Sequence, residues 1–166
     1  MLIAQLLCLL VALAVPFAKI AADPPANLCL MTWCCLKEAA RMDANTTRAH
    51  LAQFTGSETF TRHSLLRRMV MTEGVVWLSA HAQSHWLTDA IASYQHEPQV
   101  KQEHFQAWCL RVNAQTQSVA LSMTDGNSDA EIVRQEIDYT DFPLADITLW
   151  LIAQGAYLVL MLPSEY

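Results

Sequence analysis

The chain has 166 residues, enough for one ordinary domain and too few for two well-cored domains joined by a linker. Hydrophobic residues make up 53% and charged residues 16%, with only 4 Gly and 6 Pro, a composition that excludes disordered, collagen-like and low-complexity proteins. Side chains of Lys and Arg number 10 against 16 of Asp and Glu, a net charge of −6 with a pI near 5.4, so nothing general draws the chain to a phosphate backbone and nucleic acid is disfavoured as a partner.

Residues 2–15 form an apolar run interrupted only by Gln5, followed by Pro16, Lys19, Ala21 and Ala22. The run is signal-like, with a tolerable cleavage site before Asp23, and is short for a membrane-spanning helix. Only Met1 precedes it, so the basic start that orients a signal is missing. Cys8, Cys29, Cys34 and Cys35 lie before residue 42 and Cys109 stands alone after it, so residues 42–166 read as a reduced domain without a disulfide framework. The polar stretch Asp43 to Thr47, directly after Met42, resembles an ordinary N-terminus. The expectation is a leader and spacer over 1–41 that precedes a translation start at Met42, with a single cytoplasmic domain over 42–166. The rival reading is export with a signal peptide over about residues 1–22.

A helix start at Thr46 or Thr47 predicts a short helix to Phe54, ended by Gly56. Glu58 to Ser64 alternates weakly and reads as a short strand or extended loop leading to Arg67 and Arg68. Thr72 and Glu73 supply an N-cap and a first-turn acid. Val76, Ala80, Leu87, Ile91 and Tyr94 then continue one apolar stripe at helical spacing. A break near Gln83 and Ser84 would make two helices, 73–82 and 85–95, with the stripe surviving whether or not the helix breaks, and Pro98 stops the segment.

From Glu103 the period changes to that of a strand. Residues 104–112 are apolar on both sides, which predicts a central strand covered on both faces. Val119, Leu121 and Met123 alternate with small polar residues in a strand over 117–124, and turn residues on either side make it the middle of a meander ending with 131–139. Ile147 to Trp150 and Tyr157 to Met161 read as two further strands joined through Gln154 and Gly155, in preference to a helix opened by Pro143. Asp146 and Gln154 argue against a membrane span there, so no membrane contact is expected for residues 42–166. The fold class is α+β, with N-terminal helices packed on a mainly antiparallel, meander-like sheet.

Three blocks carry a family resemblance: Leu51-Ala-Gln-Phe-Thr-Gly56, then Thr72-Glu-Gly with Trp86-Leu-Thr-Asp-Ala-Ile-Ala-Ser93, then Tyr139-Thr-Asp-Phe-Pro-Leu144 with Leu160-Met-Leu-Pro-Ser-Glu-Tyr166. Over about residues 47–166 the chain resembles a family of small bacterial and mobile-element proteins of unknown function. The resemblance implies a start near Met42, from which the apolar leader departs, and it carries no catalytic residue across. Family members usually have no histidine at the positions of His81 and His85.

His81, His85 and Asp89 stand at i, i+4 and i+8, so an unbroken helix would align two imidazoles and a carboxylate for zinc or another divalent ion. Ala82 follows His81 where the His-Glu-x-x-His motif has its general base. The bland reading is a polar helix flank, with no cofactor. All six histidines, His50, His63, His81, His85, His96 and His104, read as scattered surface groups unless the fold gathers them. Cys109 reads as a buried, inert thiol on an apolar strand face. Arg62, Arg67 and Arg68 form the basic cluster able to contact phosphate or an acidic partner. Asp125, Asp129, Glu131, Glu136, Asp138 and Asp141 read as a charged sheet edge, and Trp77, Trp86, Trp108 and Trp150 as core or interface. No phosphate-cradling glycine loop or serine elbow is present. The reading is a non-enzymatic module with an unidentified protein partner. The alternatives are a metal-dependent enzyme built on His81, His85 and Asp89 and a nucleic-acid accessory protein acting through the arginines.

Overall fold

In the computed structural model, which describes residues 42–128 and 130–166, Asp43 caps the first helix, α1 (Ala44–Leu51). Its carboxylate accepts from the Thr46 backbone N–H at 2.9 Å and from the Thr46 hydroxyl at 3.0 Å. Those bonds, the backbone one first, hold the Asp43 carboxyl below its ordinary pKa. The cap therefore lies earlier than Thr46 or Thr47, because an ionised Asp satisfies the free N–H groups at the N-terminus. Thr47 is buried instead, its hydroxyl donating to the Asp43 carbonyl. The leader, spacer and start-site expectations fall on residues 1–41 and lie outside the described residues.

The strands are β1 (Thr61–Arg62), β2 (Met69–Met71), β3 (Phe105–Val112), β4 (Val119–Thr124), β5 (Val133–Ile137), β6 (Asp146–Gln154) and β7 (Tyr157–Met161). They form one sheet in the order β1-β2-β7-β6-β3-β4-β5. Only β2 and β7 pair in parallel, with Val70 opposite Val159; the other neighbours are antiparallel. The expected meander is β3-β4-β5, β3 is central, and the two tail strands form the β6-β7 hairpin. β2 lies between the stretch leading to Arg67 and Arg68 and the helix start at Thr72, where the sequence assigns no element: three residues are too few to show a period, and pairing with β7 decides their conformation.

Helices α2 (Glu73–His81), α3 (His85–Tyr94) and α4 (Pro98–Lys101) follow β2. Gln83, with φ of 50°, occupies the left-handed position that ends α2, and the Ser84 N–H donates back to the Ser79 carbonyl at 3.0 Å. This is the Schellman termination normally built on glycine. Pro98 stops nothing, since it opens α4, where its missing N–H is not needed. A 3₁₀ turn, Pro163–Glu165, follows β7.

Residues of α1, α2 and α3, together with Val100 of α4, enclose one core against alternate residues of the sheet. Trp108, Leu110, Leu121, Met123, Leu149, Leu151 and Leu160 supply its strand side and are at most 1% exposed. Gln95 of α3 and Gln106 of β3 are also buried there. Their amides bond reciprocally at 2.9 and 3.1 Å, and the Trp108 indole N–H donates to Gln106 Oε1 at 3.0 Å. Buried amides are tolerated because their donors and acceptors are matched.

The opposite face of the sheet is a different environment. Phe105, Ala107 and Cys109 of β3 point there and are half-buried, which corrects the expectation that β3 is covered on both faces. Among the described residues the helices contribute only to the first core. Cys109 is likewise half-buried rather than fully buried.

Candidate functional site

The register places the side chains of this outer face in rows across the sheet. One row runs from Arg62 through Val70, Val159 and Ile152 to Phe105. The next carries Met161, Trp150, Ala107 and Thr124. Towards the other end the rows turn polar, with Thr148, Cys109, Ser122 and Arg134, and then Asp146, Arg111, Ala120 and Glu136. The face is apolar in the rows that cross β2, β7 and the Trp150–Ile152 part of β6, and polar to charged in the rows that run from Asp146 and Thr148 of β6 to β5.

Val70, Val159 and Met161 form a second apolar cluster on this face, with the half-buried Trp150 and Ile152 packed against it. Trp150 meets Phe105 edge-on at 5.3 Å and Tyr166 at 5.7 Å, centroid to centroid. Phe105 is in turn held beneath the β4-β5 turn: a Cβ on Gly126, whose φ is 76°, would lie 2.4 Å from the Phe105 ring. Glycine is required there by both the backbone angle and the close approach.

At the β1 end the row opens into a hollow of about 340 Å³ lined by Phe60, Arg62, Val70, Gln154, Tyr157 and Val159. The two valines form its floor. Phe60 and Tyr157 are exposed, at 53% and 44%, and the Arg62 guanidinium stands 6.0 Å from the centre of the Tyr157 ring. Among the described residues no carboxylate pairs with Arg62. Arg67 and Arg68 are also exposed, in the loop after β1, and the Arg68 carbonyl accepts from the Leu158 N–H at 2.9 Å, tying that loop to β7.

The three residues proposed as metal ligands do not share one helix flank. His81 closes α2, His85 opens α3, and the left-handed Gln83 separates them. The His81 ring stacks on Trp77 at 4.3 Å, with His50 of α1 at 5.1 Å from the same indole. Asp89 accepts from Nε2 of His63 at 3.0 Å. His63 is 3% exposed, and its Nδ1 accepts from the backbone N–H groups of Leu65 and Leu66 at 3.3 Å. Asp89 thus anchors the arginine loop to α3 through a buried histidine that sequence spacing did not single out. The other five histidines are exposed. Among the described residues no group of three His, Cys, Asp or Glu side chains is placed to hold a metal.

Of the acidic run, Asp129 lies outside the described residues. Glu131 and Glu136 pair with Arg134 at 3.1 and 3.2 Å on the edge strand side. Asp125 accepts from the Ser128 and Asn127 N–H groups, which lower its pKa. Trp108 is core, and Trp77, Trp86 and Trp150 are half-buried. No helix among the described residues is long and apolar enough to cross a membrane.

Among the described residues, four helices on one side of a seven-stranded, mostly antiparallel sheet, with an outer face apolar at one end and a hollow at its rim, define a small α+β domain. The chain belongs to the family of unknown function DUF6876, whose model matches residues 45–166. The likeness seen in the three sequence blocks is thereby borne out. A solved structure, the crystal structure of the protein of unknown function from Enterococcus faecalis, is similar at 19% identity and a TM-score of 0.45, covering 65% of this chain and 98% of that one. No curated protein matches.

Proposed function

We propose that this domain is a non-enzymatic protein-binding module, in a bacterial or mobile-element setting, and that it meets its partner with the outer face of the sheet. The observation that carries this reading is the half-buried Trp150 and Ile152, seated on the buried cluster of Val70, Val159 and Met161 with the exposed Phe60 and Tyr157 beside them, on the side away from the helices. An apolar patch rimmed by charge is the arrangement of a contact surface, with aromatic anchors at its centre. Glu136, Arg111 and Asp146, at the far end of the same face, supply the polar rim.

Site-specific photo-crosslinking in the native host tests this. A benzoylphenylalanine at position 152 yields a discrete adduct, and one at the exposed position 99 on α4 does not. Trp150→Ser in the first chain removes the adduct. Equal labelling from both positions, or an adduct insensitive to Trp150→Ser, overturns the reading.

A further inference from the structure

We propose that the hollow between β1 and the β6-β7 hairpin binds the C-terminal residue of a partner protein, taking an apolar side chain on the Val70-Val159 floor and the terminal carboxylate on Arg62. The inference rests on the outer-face reading above and names what that face recognises.

Three features support it. The volume of about 340 Å³ lies within the range of ligand sites, about 300–1,000 Å³. The lining is chemically divided: two buried aliphatic side chains, two exposed aromatic rings, one guanidinium and one amide. That is the complement of a group with an apolar body and a single anionic end. Arg62 is also a cation with its fork available, because among the described residues it has no carboxylate partner and rests only against the Tyr157 ring. A guanidinium binds a carboxylate through two parallel hydrogen bonds, and the exposed Arg67 and Arg68 nearby add to the positive potential against an otherwise acidic chain.

The floor is part of a longer row of side chains. It continues along the row into Ile152 and Phe105, so residues preceding the terminal one have an apolar track to follow. A free amphiphile would use the hollow alone. The walls are also held in place: the Thr59 hydroxyl bonds to Glu73, the Glu73 N–H donates to Ser57 Oγ at 2.9 Å, and His63 fixes the turn after β1. A prearranged site loses less entropy on binding.

The 166-residue chain, ¹⁵N-labelled, is titrated with N-acetylated tetrapeptides ending in Leu, Phe, Val or Trp, with the same peptides as C-terminal amides, and with decanoate. At least one acid peptide shifts the amide signals of Arg62, Gln154 and Tyr157, and its amide form binds about tenfold more weakly or worse. In Arg62→Gln the acid falls to the level of the amide, while the amide is unaffected. Because Arg62 is exposed, this variant retains the wild-type spectrum elsewhere. An acid-to-amide ratio that survives Arg62→Gln overturns the proposal. So does the absence of binding by any acid peptide, or binding of decanoate that no peptide displaces. If peptides fail while the adduct at position 152 persists, the terminal-carboxylate site falls and the wider contact surface stands; loss of both removes the wider reading as well.

Discussion

Glu165 sits in the 3₁₀ turn after β7 but acts on the first turn of α2. Its carboxylate accepts from the Gly74 N–H at 2.9 Å, the Leu162 N–H at 3.0 Å, the Ser57 hydroxyl at 2.7 Å and the Thr72 hydroxyl. Thr72 is therefore not the side-chain cap that its identity promised: the hydroxyl donates to Glu165, and a carboxylate from a distant segment takes over at the helix start. Gly74 is needed for the same reason, since a Cβ there would lie 2.5 Å from Leu162 Cδ1 and 2.9 Å from Glu165 Oε2. Glu165→Ala leaves these donors without their acceptor and lowers stability by about 2–3 kcal/mol, and Glu165→Gln, which keeps one acceptor oxygen, by about half as much. Urea denaturation measures both. A loss below about 0.5 kcal/mol for the alanine variant would show that water replaces the carboxylate freely. The clasp joins Thr72-Glu-Gly74 to Leu162 through Glu165, two of the three sequence blocks, with Ser57 adjoining the other. The blocks were legible; their meeting was not, because it is made across more than 90 residues of chain, as Gly74 and Glu165 are 91 apart.

The elements divide by how local their causes are. β4 was readable from its own alternation, since Val119, Leu121 and Met123 face a core and Ala120 and Ser122 do not. The turns were readable too: Asn113 Oδ1 accepts from the Gln115 N–H and Asp125 from those of Asn127 and Ser128. The break between α2 and α3 was foreseen as an option, but the residue that makes it is unusual. Gln83 adopts a left-handed conformation in which an L side chain costs about 1–2 kcal/mol. Gln83→Gly is expected to raise stability by about 0.5–1 kcal/mol, and Gln83→Val to lower it, as read from thermal midpoints. A neutral or destabilising glycine would mean that the Gln83 side chain has stabilising contacts of its own. The same break explains why His81, His85 and Asp89 do not line up: their spacing presupposes helical continuity, and Asp89 is engaged by His63 from the loop after β1.

Across the whole molecule, one strand separates two environments. Leu151 of β6 is 1% exposed in the core under the helices, and its neighbour Ile152 lies on the outer face. Leu151→Ala should cost about 2–5 kcal/mol by opening a cavity. Ile152→Thr should cost less, about 1 kcal/mol, because its side chain is only half-buried and rests on the smaller cluster of Val70, Val159 and Met161. Chemical denaturation of the two variants distinguishes a sheet with one structural face from one that needs both. Comparable losses would mean the outer face is part of the folding core, and its role as a contact surface would lose its main support.

Composition and periodicity determined the class of fold, the helix-to-strand order, the meander and the tail hairpin, because these follow from local patterns of burial and turn chemistry. Family membership was visible in the same way, as short blocks in linear order. Only the tertiary structure decided that all the described helices pack on one face, that β2 joins β7 in parallel, and that Arg62 stands over Val70 and Val159 at the rim of a hollow. It also decided that Asp89 belongs with His63. Such pairings depend on strand order and register between distant segments. A linear pattern specifies which side chains share a face, but long-range packing determines which faces meet.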